Sequence, residues 1–266
     1  MEITGLNIYP IKGCRGVAVS SIAVDRLGMV GDRRLMLVDD GNHFISQREV
    51  AALATIAPAL DEGALLVHAP TMVPFELVLD YDAPTRDVTV WGYTVIAAAD
   101  QGDDAARWFS SAIGTSCRLV AFGTEAHNLI DPEYSPRADA ETAFTDGYPL
   151  MVALQESLDD LNKRLAEPVS MQRFRPSIVV RGAKAWSEDD WMAMKVGGLD
   201  CDAVKPCARC VVTTTDQETG ARSAQQEPLR TLATFRTVPG IGTLFGQNLV
   251  SRNTGTLHVG DDVELM

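Results

Sequence analysis

The chain has 266 residues and a formal net charge of −13; the length suits one large or two modest domains, and the acidic balance argues against nucleic acid or anionic membrane as a partner. Hydrophobic residues make up 46% and charged residues 22%, a composition that implies a buried core and excludes a disordered chain. No apolar run reaches the roughly 18 residues of a membrane span, and "MEITGLNIYPIKG" lacks the charged and apolar regions of a signal peptide, so a cytoplasmic protein is expected.

In chain order, "EITGLNIYPIKG" predicts an opening strand ended by Pro10 and Gly13. "RRLMLVDDGNHFISQ" reads as a hairpin around Asp40-Gly41. "ALLVHAP" and "FELVLDY" follow as strands, and "DVTVWGYTVIAAAD" as a hairpin turning near Gly92. "DDAARWFSSAIG" sets Ala105, Trp108, Phe109 and Ala112 on one helical face, with Gly114 as the stop. After "CRLVAF" the chain turns polar and irregular, so a division into domains 1–120 and 121–266 is placed within 120–140, as an interdomain link or a functional loop. "LQESLDDLNKRLAEP" repeats leucine near the helical period from Leu154 to Leu165. "SIVVRG" predicts a strand, Ser187 to Asp190 a helix start before Trp191, and "CVVTTT" a strand. "EPLRTLATFR" predicts a helix with Pro228 in its first turn and Leu229, Leu232 and Phe235 inward, before the strands of "TLHVGDDVELM". Short, closely spaced strands with few helices favour sandwiches or barrels over a parallel α/β sheet.

The five cysteines are Cys14, Cys117, Cys201, Cys207 and Cys210, an odd number that argues against a disulfide framework. Cys207 and Cys210 stand in "KPCARCVVTTTDQETG". A redox dithiol of the thioredoxin type opens a helix, whereas this pair runs into a β-branched stretch. A zinc site needs four ligands; Cys201 could add a third, but no second pair follows and the four histidines are scattered. A third reading makes both thiols buried small apolar residues. Cations are the other feature: Lys12, Arg33 and Arg34, Arg173 and Arg175, and Arg209 lie at strand ends. Singly each reads as a solvated strand end. Together they could hold an anionic cofactor, and cations around a cysteine favour its thiolate. No phosphate-binding glycine motif and no nucleophile elbow is present.

Taken in order, "IYPIKGCRGVAVSSIAVDRLGMVGDRRLMLV", "RFRPSIVV", "SEDDW", "CARCVVTTTDQETG", "EPLRTL", "LFGQN" and "GTLHVGDDVEL" resemble the molybdenum cofactor sulfurase C-terminal (MOSC) domain proteins that carry an N-terminal β-barrel domain. The resemblance implies a mainly β, α+β chain of two β-barrel-like domains with a few packing helices. It implies a molybdenum cofactor (Mo-molybdopterin), with Cys210 as the molybdenum ligand and Cys207 as a bystander. Lys12, Gly13, Arg33, Gly147, Tyr148, Arg175, Ala208, Arg209 and Asn248 match cofactor-contacting positions. Relatives carry hydroxyl side chains at the positions of Gly147, Tyr148 and Ala208 and tyrosine at Asn248, so contacts made there by backbone amides would survive and those needing the relatives' hydroxyl would not. The implied activity is reduction of N-hydroxylated compounds (amidoximes, hydroxylamines, N-hydroxylated base analogues), fed by a separate electron-donor protein of flavoprotein, ferredoxin or cytochrome type. Two alternatives stand beside it: a sulfur carrier using a cysteine persulfide, and a non-enzymatic β-barrel binding module.

Overall fold

The structure, a computed structural model, describes every residue except 62 and 63. It is mostly β, with four sheets that curl around barrel-like cores and three α-helices. The largest sheet has nine strands. Eight run in the spatial order Val263–Leu265, Ala193–Val196, Leu199–Arg209, Gly242–Ser251, Leu150–Leu154, Ile178–Arg181, Glu2–Ile8 and Val17–Val19, and Thr237–Val238 adds to Gly242–Ser251. Leu150–Leu154 and Ile178–Arg181 pair in parallel, and the other pairs are antiparallel.

The run "LMVAL" shows why this sheet is central. It is buried on both faces, because side chains alternate across a strand. Leu150, Val152 and Leu154 enter one core with Ile3, Leu6, Met194 and Leu249. Met151 and Ala153 enter another, with Phe174, Phe245, and the helices Gln155–Asn162 and Leu229–Arg236 through Leu158, Leu161 and Leu232. The sheet Leu35–Val38, Arg118–Phe122, Tyr93–Asp100 and Thr85–Val90 repeats the plan. Leu35, Leu37, Leu119 and Ala121 pack against Phe109 of the helix Gly102–Ile113, while Met36, Val38, Val120 and Phe122 face a second cluster.

Strand pairing joins the two ends of the chain across the expected division. Glu2–Ile8 pairs with Ile178–Arg181, Ser21–Asp25 pairs with Gly255–His258, and the Val263 amide donates to the Met1 carbonyl at 2.8 Å.

Three expectations need correction. "CVVTTT" is not a strand: the long strand stops at Arg209, and Val211–Thr214 is a single 3-10 turn. The hydroxyls of Thr213 and Thr214 donate back to the carbonyls of Cys210 and Val211 at 2.9 and 2.7 Å, local bonds that let a β-branched run turn. A 3-10 turn, rather than a strand, therefore follows the Cys207–Cys210 pair, and no α-helix opens there as in a thioredoxin-type motif. The turn at Asp40-Gly41 forms, but its return limb makes isolated bridges, Val38 with Phe44 and His43 with Thr89, rather than a strand. The leucine repeat yields a helix only over Gln155–Asn162, since Leu154 ends the strand before it.

Candidate functional site

One cavity of about 320 Å³ lies between the first third of the chain and the long Leu199–Arg209 strand, a size within the range of ligand sites. Nine of the ten residues that the resemblance matched to the cofactor or its metal line it: Lys12, Gly13, Arg33, Tyr148, Arg175, Ala208, Arg209, Cys210 and Asn248; of the other candidate cations, Arg34 is turned to Asp25 and Arg173 to Asp216 and the Thr214 carbonyl, and neither lines the cavity. Gly147 does not. Its amide donates to the Thr145 hydroxyl at 3.3 Å, so that backbone group is already engaged.

Local structure explains the convergence. Lys12 follows the first strand into a turn, where its amide donates to the Leu35 carbonyl at 2.7 Å. Arg33 and Arg175 each hold a left-handed backbone, at φ 47° and 54°, a conformation that is costly for long side chains and recurs at functional sites. The ring of Tyr9 lies 4.2 Å from both guanidinium carbons. Its hydroxyl donates to the Pro176 carbonyl at 3.1 Å and its amide to Asp32 Oδ1 at 2.7 Å. Behind Arg175, Gln217 accepts from its Nη1 at 3.0 Å and exchanges bonds with the buried Gln47. Gln47 in turn donates to the Gly13 carbonyl. The "DQETG" loop therefore locks onto the N-terminal half.

The long strand lines the cavity through Lys205, Pro206, Cys207, Ala208 and Arg209, residues of both parities. Its pairing with Gly242–Ser251 is broken by bulges, which re-aim side chains near functional sites. Gly246 occupies one of them at φ 78°, where a Cβ would stand 2.6 Å from the Val152 oxygen; the glycine of "LFGQN" is fixed by this close approach. Asn248 donates to the Lys205 carbonyl at 3.1 Å. Cys210 sits at the strand's end, half-buried. Cys207 lines the cavity as well, and its sulfur accepts from Arg209 Nη1 at 2.7 Å; it is a neighbour of the site rather than a residue remote from it. Cys201 belongs to the main core, and no group of three or more metal-ligating side chains converges among the described residues.

The electrostatics are one-sided. Arg33 pairs with the buried Asp32 at 2.6 Å. Arg175 and Arg209 donate to amide, carbonyl and sulfur atoms, and to no carboxylate among the described residues. Arg209 Nε is buried without a partner. Burial, then the neighbouring Arg33, pull the Arg175 pKa down to about 10, still charged at neutral pH. Burial also lowers Lys12, against the pull of Asp146. Buried cations ordinarily carry a counter-charge. Two half-buried guanidinium groups without one suit this cavity to an anion.

Sequence reasoning missed several lining residues: Phe44, Arg48, Trp91, Asp146 and Phe174. Asp146 forms an ion pair with Lys12 and accepts from Trp91 Nε1 at 2.7 Å. Although its own surface is exposed at the mouth, the protein around it displaces solvent and raises its pKa; Lys12, these hydrogen bonds and Arg33 outweigh that and hold the carboxyl well below the usual range.

Comparison with known proteins adds the family context. Residues 1–116 match the MOSC N-terminal beta barrel domain, and residues 139–264 match the MOSC domain. The chain is 35% identical to mitochondrial amidoxime reducing component 2 of Rattus norvegicus, over 97% of this chain and 81% of that protein. It is 31% identical to mitochondrial amidoxime-reducing component 1 of Homo sapiens, over 99% and 82%, and 31% identical to that of Danio rerio, over 98% and 83%.

Proposed function

The chain belongs to the family of MOSC-domain proteins that carry an N-terminal MOSC β-barrel domain, and from that premise we propose a molybdenum-cofactor-dependent reductase of N-hydroxylated compounds working in the cytoplasm. The carrying observation is the pair of guanidinium groups, Arg175 and Arg209, that face the cavity beside Cys210 and bond to no carboxylate among the described residues. These residues fit a molybdenum cofactor, which brings a phosphate and an electron-rich dithiolene. Arginine forks and a lysine match its oxygens, and a thiolate is a soft ligand suited to a redox metal.

Bound there, the cofactor would supply the two-electron chemistry that breaks an N–O bond, replenished by a separate electron-donor protein. The chain's own residues do the rest. Lys12, Arg33, Arg175 and Arg209 hold the anion. Cys210 offers its sulfur from the strand end. Tyr9 and Gln217 fix the two strained arginines, and Phe44, Trp91 and Phe174 wall the recess. An amidoxime takes up two electrons and two protons and leaves as an amidine and water.

Protein made in a cofactor-producing host is expected to contain stoichiometric molybdenum and to reduce benzamidoxime, and Cys210→Ala is expected to lose that activity. A metal-free wild-type protein, or an active variant, overturns the reading. Release of sulfide from Cys210 on reduction, with a matching persulfide mass, would favour a sulfur carrier instead.

A further inference from the structure

The mouth of the cavity holds a group that the cation cradle does not need. Asp146 is the one carboxylate among the described residues that line it. Its Oδ1 takes the bonds from Lys12 and Trp91; its Oδ2 meets no donor among the described residues, and the side chain is 77% exposed. Trp91 stands at the tip of the hairpin joining Thr85–Val90 to Tyr93–Asp100, at φ 50°, with Gly92 at φ 94°. Such two-residue turns favour Asn or Asp first, because a bulky residue in the left-handed region costs about 1–2 kcal/mol. An outlier of this kind persists where the surroundings hold it in place. Here the surroundings are the Asp146 carboxylate, the edge of Phe44 with ring centroids 5.4 Å apart, and Arg48, whose guanidinium carbon lies 4.1 Å from the indole centroid. The indole thus already carries one planar cation on its face.

We propose that Asp146, framed by Trp91, forms an amidinium subsite and is the specificity-determining residue of this cavity, favouring substrates whose reduction creates a planar cation. The inference rests on the reductase reading above. An amidoxime, R–C(NH2)=NOH, is neutral. Two electrons from the donor protein and three protons break its N–O bond and give R–C(NH2)2+ and water. Positive charge therefore develops on a planar N–C–N fork during the reaction. A fixed carboxylate oxygen stabilises that fork more than it does the neutral reactant, which is the condition for raising rate rather than only binding. A hydroxamic acid, R–C(=O)NHOH, ends as a neutral amide and gains nothing from the same group.

Calorimetric titration of the holoenzyme with benzamidine and with its neutral isostere benzamide tests the subsite. Benzamidine is expected to bind at least tenfold tighter to wild type, and within twofold of benzamide to Asp146→Asn. Equal affinities in wild type, or a preference that survives in the variant, overturn the proposal. In turnover, Asp146→Asn is expected to lower kcat/KM for benzamidoxime about tenfold and for benzohydroxamic acid less than twofold. An equal fall in both reduces Asp146 to a support for Lys12 and also overturns it. Should Asp146→Asn fail to fold, Trp91→Phe keeps the ring and removes its donor. It is expected to weaken benzamidine about threefold with benzamide unchanged, and equal weakening counts against the subsite. A wild-type enzyme that reduces neither compound yet prefers benzamidine would sink the reductase reading and leave the subsite standing.

Discussion

Arg33 donates from Nη2 to the main-chain oxygen of Arg175 at 3.3 Å, so two like-charged residues 142 positions apart are tied together despite their repulsion. The ring of Tyr9 makes this arrangement possible by facing both guanidinium groups. Each contact is worth on the order of 1 kcal/mol. Tyr9→Leu is therefore expected to lower cofactor retention roughly tenfold, read as molybdenum per chain after dialysis. Unchanged retention would show that the arginines hold position without the ring.

The two thiols should respond unequally. In Cys207→Ser the hydroxyl can still accept from Arg209 Nη1, so activity within about threefold of wild type is expected. Cys207→Ala leaves that donor with only the Met151 sulfur, 3.4 Å away, and should cost more. Cys210→Ser should abolish turnover. Steady-state rates for the three variants, normalised to molybdenum content, decide it; equal losses at both cysteines would point to a shared dithiol function.

Glu188 makes stability depend on pH. It is fully buried, its Oε2 accepts from Ser157 at 2.8 Å, and its Oε1 has no partner. Burial pushes its carboxyl up to about 7 from an ordinary 4.5. The folded state binds the proton more tightly than the unfolded state. The stabilisation is therefore complete below pH 4.5 and is lost as pH rises through 7, by about 3 kcal/mol at most. Melting temperatures of wild type and Glu188→Gln between pH 5 and 8 should converge at the acid end and separate at the basic end, with the variant higher. Parallel curves would refute the assignment, and taking the difference removes the histidines common to both.

Gly246→Ala tests the bulge. The new methyl would meet Met151 Cε at 2.5 Å and the Val152 oxygen at 2.6 Å, on a backbone at φ 78°. A backbone oxygen cannot step aside, so a loss of more than roughly 2 kcal/mol is expected, read as a lower urea midpoint. A variant as stable as wild type would mean that the two strands can slide.

Much of the fold could be read locally. Short apolar, β-rich runs located Glu2–Ile8, Tyr93–Asp100 and Ile178–Arg181, and the Gly114 stop located the end of the first helix. The run after Cys210 misled, because β-branched residues suit a strand only where their hydroxyls do not find a nearer carbonyl. Of the site, arginines in apolar settings stood out against an acidic chain. Asp146 did not, since one aspartate in a polar loop looks like any turn residue. Trp91 left a trace, a tryptophan where a hairpin wants asparagine, visible once the turn was placed. The contacts that assemble the cavity, Gln47 with Gln217 and Tyr9 with Arg175, join residues about 170 apart, and no local pattern encodes such pairs.

The pairing of early strands with late ones has a consequence for biogenesis. Glu2–Ile8 is made well before its partner, and one edge of it stays open until Ile178–Arg181 has followed. Ser21–Asp25 waits longer still, for Gly255–His258. At 5–20 residues per second, that interval is on the order of ten seconds or more. During it an apolar strand edge is free to meet another nascent chain. Synthesis rate and chaperone supply, as much as cofactor supply, would then set how much of this protein reaches a form that can hold a ligand at all.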